Sequence, residues 1–300
     1  MNQTEKARAA FVAVVGRPSA GKSTLINRFC GAKVSITSAV PQTTRDAIRG
    51  IANGERGQIV FVDTPGRYKS DKKGNKKLRE ISDQAAGDAD AILYVLDATR
   101  PAGAEEADIA EMLAPHAERT VAAINKIDDP RADPSRARTF LAEALPNLAE
   151  GRILEASAER GDGAESVLAA LFDLAPEGEP FYGPEFYTDQ EVGFRISEII
   201  REQAINRLED EIPHALRVEI ADAQFSQADP ENPRARPALW VRAFLSVERE
   251  SQKGIVVGKG GSMIKAIRLA ALKELAGIFD WKITLDLRVK VSGRGQGIGG

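Results

Sequence analysis

The chain holds little of what would place it outside a cell or within a membrane. One cysteine, Cys30, stands among 300 residues, so no internal disulfide is possible and a reducing, cytoplasmic setting fits. Cys30 falls near the end of an expected helix and reads as a small buried hydrophobe. No uninterrupted apolar run is long enough to span a bilayer, and the opening eight residues carry no apolar signal core. This argues against an integral membrane role and leaves peripheral membrane contact open. Excess charge is also scarce. The net charge is −3, which argues against a uniformly basic coat for nucleic acid. The distribution is uneven, however. From Lys253 onward nine bases meet three acids, so the C-terminal end can present a local basic face. The length suggests two domains.

What the chain does have begins at Gly16-Arg17-Pro18-Ser19-Ala20-Gly21-Lys22-Ser23. This is Gly, four residues, then Gly-Lys-Ser. The β-branched run Phe11 to Val15 before it reads as a buried strand, and Thr24 to Phe29 after it has helical spacing. A glycine-rich turn between strand and helix aims several backbone N–H groups into one hollow, and the helix N-terminus adds its positive end. Such a hollow binds phosphate. Lys22 would reach the β- and γ-phosphates, and the Ser23 hydroxyl would ligate Mg²⁺.

Ala47 to Ala52 and Gln58 to Val62 flank an Asn-Gly turn signal and are expected to form an antiparallel hairpin. Its second strand runs into Asp63-Thr64-Pro65-Gly66, where Asp63 can hold Mg²⁺ directly or through water and the Gly66 N–H can bond a γ-phosphate. The basic stretch Arg67 to Lys77 reads as a solvated loop. Further strands are expected at Ala91 to Asp97 and Thr120 to Ile124, a last strand and turn at Arg152 to Ala158, and helices at about Glu105 to His116 and Ala164 to Leu174. Strands alternating with helices imply a doubly wound α/β sheet, with ligand at the C-terminal strand ends. Asn125-Lys126-Ile127-Asp128 lies at such an end. The Asp128 carboxylate can accept from guanine N1 and N2, a donor pair that adenine lacks, and an unmet buried carboxylate penalises the wrong base. Asn125 would tie this loop to the phosphate loop, Lys126 would lie along the base, and the Ala158 N–H after Ser157 would suit guanine O6.

Residues 11–175 resemble a translation-factor-class small GTPase. With Pro41-Gln42-Thr43-Thr44-Arg45 at the first switch position and Asp63-Thr64-Pro65-Gly66 after it, they are similar to the Era group of ribosome-assembly GTPases. The resemblance implies GTP and GDP as ligands with Mg²⁺. It also implies a threonine of the Thr-Thr pair completing the metal shell: Thr44, with Thr43 as the alternative. Two positions depart from that family. Arg67 stands where Ras-like GTPases carry a water-orienting glutamine and Era-like proteins an apolar residue. Ser19 stands where many relatives carry a potassium-holding asparagine. Slow hydrolysis and weak potassium stimulation are therefore expected.

Residues 176–190, rich in Pro and Gly, read as a linker whose aromatics pack on a domain surface. In residues 191–300 the order helix, strand, strand, helix, Gly258-Lys259-Gly260-Gly261, helix, strand matches a type II KH domain, a small α+β fold. Glycines at both ends of the loop let a sugar-phosphate backbone approach two helix ends. Lys259 and Lys265 add positive charge, and Ile255, Val256 and Ile264 would line a groove for bases; such domains clamp about four unpaired nucleotides. A GTPase domain (1–175) followed by this module resembles the Era arrangement along nearly the whole chain. The resemblance implies a monomeric cytoplasmic enzyme that binds the 3′ region of 16S ribosomal RNA and assists 30S subunit assembly. Other classes stay open: an RNA-binding scaffold with a slow nucleotide switch, another GTPase of the TrmE or EngA kind, or an ATPase.

Overall fold

The computed structural model describes residues 6–37, 48–64, 73–208, 212, 216–228, 231–232 and 236–292, with the backbone alone at 73–79 and 81. Two compact units divide the described chain after Asp189.

The first unit is built on a six-stranded sheet in the order β2-β3-β1-β4-β5-β6. The strands are β1 Arg8–Val15, β2 Ile48–Gly54, β3 Gly57–Asp63, β4 Ala91–Asp97, β5 Thr120–Asn125 and β6 Ile153–Ala156. Only β2 is antiparallel, joined to β3 as a hairpin. The hairpin is tighter than its Asn-Gly signal suggests. Gly54 pairs with Gly57, so Glu55 and Arg56 form the tip. A Cβ on Gly57 would lie 1.9 Å from the Arg8 carbonyl oxygen, which is why the strand closes on glycine there.

Helices cover both faces. Those in this unit are α1 Lys22–Cys30, α2 Lys73–Asp88, α3 Ala104–Leu113, α4 Pro134–Ala144 and α5 Ala164–Leu174. Leu25, Ile26, Val167 and Leu171 from α1 and α5 pack against Val12, Val14, Phe61, Leu93 and Val95. Ile109, Leu113 and Leu141 from α3 and α4 pack against Val15, Ile92, Tyr94, Leu96 and Ile124 on the opposite face. Every residue of β4 is buried, as a central parallel strand covered twice must be. Each fully buried Leu or Ile contributes about 1.5–3 kcal/mol.

Two expectations need correction here. Residues 73–77 of the supposed loop are the first turns of α2, which runs on to Asp88. Helix α4 has no counterpart among the sequence expectations, although Asp133 caps it by accepting from the Arg136 N–H at 3.0 Å and Pro134 opens it. Residues 176–189 pack along the first unit. The Ala9 and Gly178 N–H groups bond to Pro176 and Ala7, Gln58 holds the backbone of Phe181 and Tyr182, and the Thr188 hydroxyl donates to Arg49 O.

Cys30 lies against this core, and burial pushes its thiol up to about 12. Only the thiolate reacts. Folded protein at pH 8 is therefore expected to react with an aromatic disulfide reagent about 100-fold or more slower than a free thiol, with full reactivity restored in guanidinium. Equal rates in both states would contradict the burial.

The second unit starts at Gln190. It holds α6 Val192–Ile205, β7 Arg217–Ser226, β8 Ala238–Val247, α7 Glu250–Val257, α8 Ser262–Ile278 and β9 Lys282–Val291. The sheet order is β7-β8-β9, with β7 antiparallel and β9 parallel to β8. One sheet face, with Leu239, Val241, Ala243, Leu245, Leu285 and Leu287, packs on Ile196 and Ile200 of α6, Val256 of α7 and Ile267, Ala271 and Leu275 of α8.

Candidate functional site

The parallel strands of the first unit end together, and that edge gathers the sequence motifs. Val14 is in register with Asp63, Asp97 with Asn125, and Asn125 with Ala156.

The phosphate loop leaves β1 and enters α1 at Lys22. Its glycines are required by crowding. A Cβ on Gly16 would sit 2.5 Å from the Val95 carbonyl oxygen, and one on Gly21 would sit 2.2 Å from Asn125 Nδ2. Ser19 has φ +62, in the left-handed region, although it is not glycine. Ala20 is fully buried, Arg17 is buried, and the Ala20 N–H turns back to the Arg17 carbonyl. The Lys22 ammonium donates to the carbonyls of Gly16 and Arg17, 3.1 Å each. Burial lowers its pKa, opposed by the charges of Asp63 and Glu106. The lysine is thus held inside the curl of the loop.

Ser23 Oγ donates to Asp63 Oδ2 at 2.8 Å. A hydroxyl and a carboxylate this close are two hard oxygen donors at a helix N-terminus, a donor set that suits Mg²⁺ completed by phosphate and water. Thr64 Oγ1 donates to Val14 O at 2.7 Å, which fixes the exit of β3. Thr43, Thr44, Pro65, Gly66 and Arg67 lie outside the described residues.

Asn125 stands between three loops. Its Nδ2 donates to Ala20 O at 2.8 Å, and its Oδ1 accepts from the Ala158 N–H at 2.9 Å. The Ala158 N–H, expected to face guanine O6, is therefore directed to Asn125. A buried N–H requires an acceptor, and Asn125 supplies it. Ser157 is buried and caps its own turn, with Oγ accepting from the Arg160 N–H. Lys126 has φ +68 and its Nζ reaches Asp97 Oδ2 at 2.9 Å. Asp128 keeps a part-exposed carboxylate, 4.0 Å from Arg160 Nε. Its neighbour Asp129 is closed off by Arg131, whose guanidinium hydrogen bonds hold that carboxyl well below the usual range.

Sequence reasoning places Arg17 in the phosphate loop but misses its partners Asp97 and Glu106, and misses Arg28. Arg28 of α1 donates to the carbonyls of Ala158 and Glu159 and so anchors the last loop. Arg17 is ion-paired with Asp97 at 3.4 Å and with Glu106 at 3.3 Å. Burial raises the Glu106 carboxyl to about 7, against the pull of Arg17. No local pattern announces these pairs.

Because Gly21 has φ +99 and faces Asn125, Gly21→Ala combines left-handed strain of about 1–2 kcal/mol with loss of the Asn125 bond, about 1 kcal/mol. GDP affinity is expected to fall on the order of 100-fold at these costs, read by calorimetric titration. An unchanged dissociation constant would contradict the packing.

In the second unit α7 ends at Gly258 and α8 starts after Gly261, so the glycine loop joins two helix ends. Gly258 has φ +74, and a Cβ there would lie 2.7 Å from Met263 Cβ. Gly260 and Gly261 have φ +58 and +79 with open space beside them. Gln252 Oε1 caps α7 by accepting from the Glu248 and Arg249 N–H groups. Lys259, Lys265 and Ile255 are exposed, and Ile264 is half-buried. Val256 is not a groove residue. It is fully buried among Leu245, Ile267 and Leu285, because consecutive residues of a helix face different ways.

Among the described residues no helix is long and apolar enough to cross a membrane. Residues 11–126 match the family described as a 50S ribosome-binding GTPase, and residues 211–296 match a KH domain. A Treponema denticola protein named GTPase Era is 48% identical over 284 residues, covering 95% of this chain and 94% of that protein. A protein of the same name from Borreliella burgdorferi is 40% identical over the same coverage. Among solved structures, Era in complex with MgGDPNP and nucleotides 1506–1542 of 16S ribosomal RNA matches with a TM-score of 0.86 at 32% identity, covering 96% of this chain and 95% of that one. An Aquifex aeolicus Era variant bound to GDP·AlF4− matches with the same TM-score at 31% identity and the same coverage.

Proposed function

Because the chain belongs to the Era family of GTPases, we propose that it binds guanine nucleotide, hydrolyses GTP to GDP and phosphate with Mg²⁺, and grips small-subunit ribosomal RNA to support 30S maturation. The observation that carries this reading is the presence in one chain, end to end with its relatives, of a phosphate loop beside the hydrogen-bonded Ser23–Asp63 oxygen pair and a glycine loop between two helices. The small subunit is preferred over the large one named for residues 11–126. The match that spans both units is to a structure holding 16S RNA. The protein acts in the cytoplasm as a monomer.

Phosphoryl transfer needs positioning and charge stabilisation more than covalent chemistry. Lys22, fixed by the Gly16 and Arg17 carbonyls, places a cation at the β- and γ-phosphates. Ser23, Asp63 and Thr44 would hold Mg²⁺, which neutralises developing charge when bound. Asp128 reads the guanine N1 and N2 donors. A guanidinium at position 67 cannot serve as a base, so intrinsic hydrolysis is slow and is aided by RNA or a partner. With Ser19 in the loop, turnover in KCl and NaCl is expected to agree within about twofold, and a several-fold gain in KCl would reject that. Ile255, Lys259, Gly260, Gly261 and Lys265 form the RNA-contacting edge of the second unit. Crosslinking the protein to total RNA with and without a non-hydrolysable GTP analogue tests the whole reading. Enrichment of the 16S 3′ end is expected with the analogue; recovery without preference for that RNA would overturn the reading.

A further inference from the structure

Three charged side chains, Arg17, Asp97 and Glu106, are buried together in the first unit, and part-exposed Lys126 reaches them from the base loop. Arg17 of the phosphate loop is 7% exposed. Its Nη2 lies 3.4 Å from Asp97 Oδ2 and its Nε 3.3 Å from Glu106 Oε1. The same Asp97 oxygen receives Lys126 Nζ at 2.9 Å. Asp97 Oδ1 accepts from the Thr99 N–H at 2.9 Å and the Thr99 hydroxyl at 2.5 Å, which locks its orientation. Asp97 faces both cations and Glu106 sets a second carboxyl group against Arg17, and a buried charge persists only when such partners meet it. One carboxylate oxygen therefore serves the arginine of the phosphate loop and the lysine of the base loop together.

The backbone extends this link. The carbonyls that hold Lys22 are those of Gly16 and Arg17, so the peptide carrying the Arg17 side chain also orients the phosphate lysine. On the other side, Lys126 has a left-handed backbone and a long, flexible chain. Holding its ammonium in place before a base arrives removes freedom that binding would otherwise have to freeze. Glu106 comes from α3, which has no motif of its own; its carboxyl group pairs with Arg17 and its charge also acts on Lys22.

We propose that Asp97 and Glu106 are positioning residues for guanine-nucleotide recognition: Asp97 sets Lys126 for the base, and Asp97 with Glu106 clamps Arg17 and so fixes the carbonyls that aim Lys22. The inference rests on the reading of Lys126 and the phosphate loop as the nucleotide site. It couples base reading to phosphate holding through one buried carboxylate.

The test is a double-mutant cycle on the full-length chain, with binding of fluorescent GDP followed in Mg²⁺ and GMP measured by competition. Wild type comes first. If it fails to bind GDP, the nucleotide-site reading itself falls and this inference with it. If it binds, Asp97→Asn is expected to weaken GDP binding at least about tenfold, and to cost clearly less in a Lys126→Ala background, where one group it serves is gone. Glu106→Gln is expected to reduce the preference for GDP over GMP at least about fivefold, because GDP alone places a β-phosphate in the loop. The inference is overturned if Asp97→Asn binds GDP within twofold of wild type. It is also overturned if its cost is undiminished beside Lys126→Ala while Glu106→Gln leaves the GDP-to-GMP ratio unmoved. A role in folding alone would give that second outcome, lowering thermal midpoints in every background. Should Asp97→Asn not fold, the Glu106→Gln ratio decides alone.

Discussion

Asp128→Asn is expected to turn the chain from guanosine to xanthosine phosphates. A carboxylate accepts from both N1–H and the 2-amino group of guanine, two charge-assisted bonds worth roughly 1.5–3 kcal/mol each. An asparagine still accepts from N1–H, but its amide N–H₂ opposes the guanine amino group and instead matches the C2 oxygen of xanthine. GDP affinity should fall by about 100-fold or more, and XDP should become the preferred ligand in competition against labelled GDP. The neighbouring aspartate supplies the control. Asp129 is occupied by the Arg131 guanidinium, whereas Asp128 keeps a part-exposed carboxylate with Arg160 only at the limit of ion-pair distance. Asp129→Asn should therefore leave the guanine preference intact. A specificity change in the Asp129 variant, or none in the Asp128 variant, would put the base elsewhere.

The second large effect belongs to the other unit. Replacing Lys259 and Gly260 together by aspartate should abolish most RNA affinity, on the order of 100-fold at moderate salt, while GTP turnover without RNA stays at the wild-type rate. The site can take the change structurally. Lys259 is exposed, and a Cβ at Gly260 meets nothing within 4 Å. Its φ of +58 lies in a region that aspartate visits more readily than most residues. The change is electrostatic, because it removes one cation and adds two anions where a phosphate backbone would pass between the helix ends. Anisotropy of a labelled single-stranded RNA corresponding to the 16S 3′ end measures it. The salt dependence of binding should also flatten, by about one unit of slope for each lost phosphate contact. Affinity within threefold of wild type, with the fold intact, would remove the glycine loop from the RNA interface.

Much of this molecule can be read from sequence because its motifs are constraints on backbone. Gly21 must be glycine where Asn125 approaches, and Gly258 where Met263 does, so short spacings carry the geometry. The continuous apolar run of β4 likewise permits little but a doubly covered strand. What stays hidden depends on distant partners. Arg17, Asp97 and Glu106 come from a loop, a strand end and a helix, and no local pattern joins them. Helix α4 has an N-cap and a proline in sequence, yet buries only Leu141 fully, so its apolar period is faint. The last half of β7, Asp222 to Ser226, is exposed throughout, Phe225 included, and it is a strand because β8 pairs with it. Val256 and Ile255 differ in sequence by one methylene and in structure by which side of one helix turn they occupy. The Ala158 N–H goes to Asn125 through a side-chain choice that residue type alone does not settle.

At the centre of the proposed function we place a coupling: the nucleotide bound by the first unit governs how firmly the second unit holds RNA. Titrating one labelled RNA from the 16S 3′ end with the full-length protein, saturated in turn with GDP and with a non-hydrolysable GTP analogue in Mg²⁺, addresses it directly. The account expects at least about fivefold tighter binding with the analogue. Equal affinities in the two nucleotide states would contradict it.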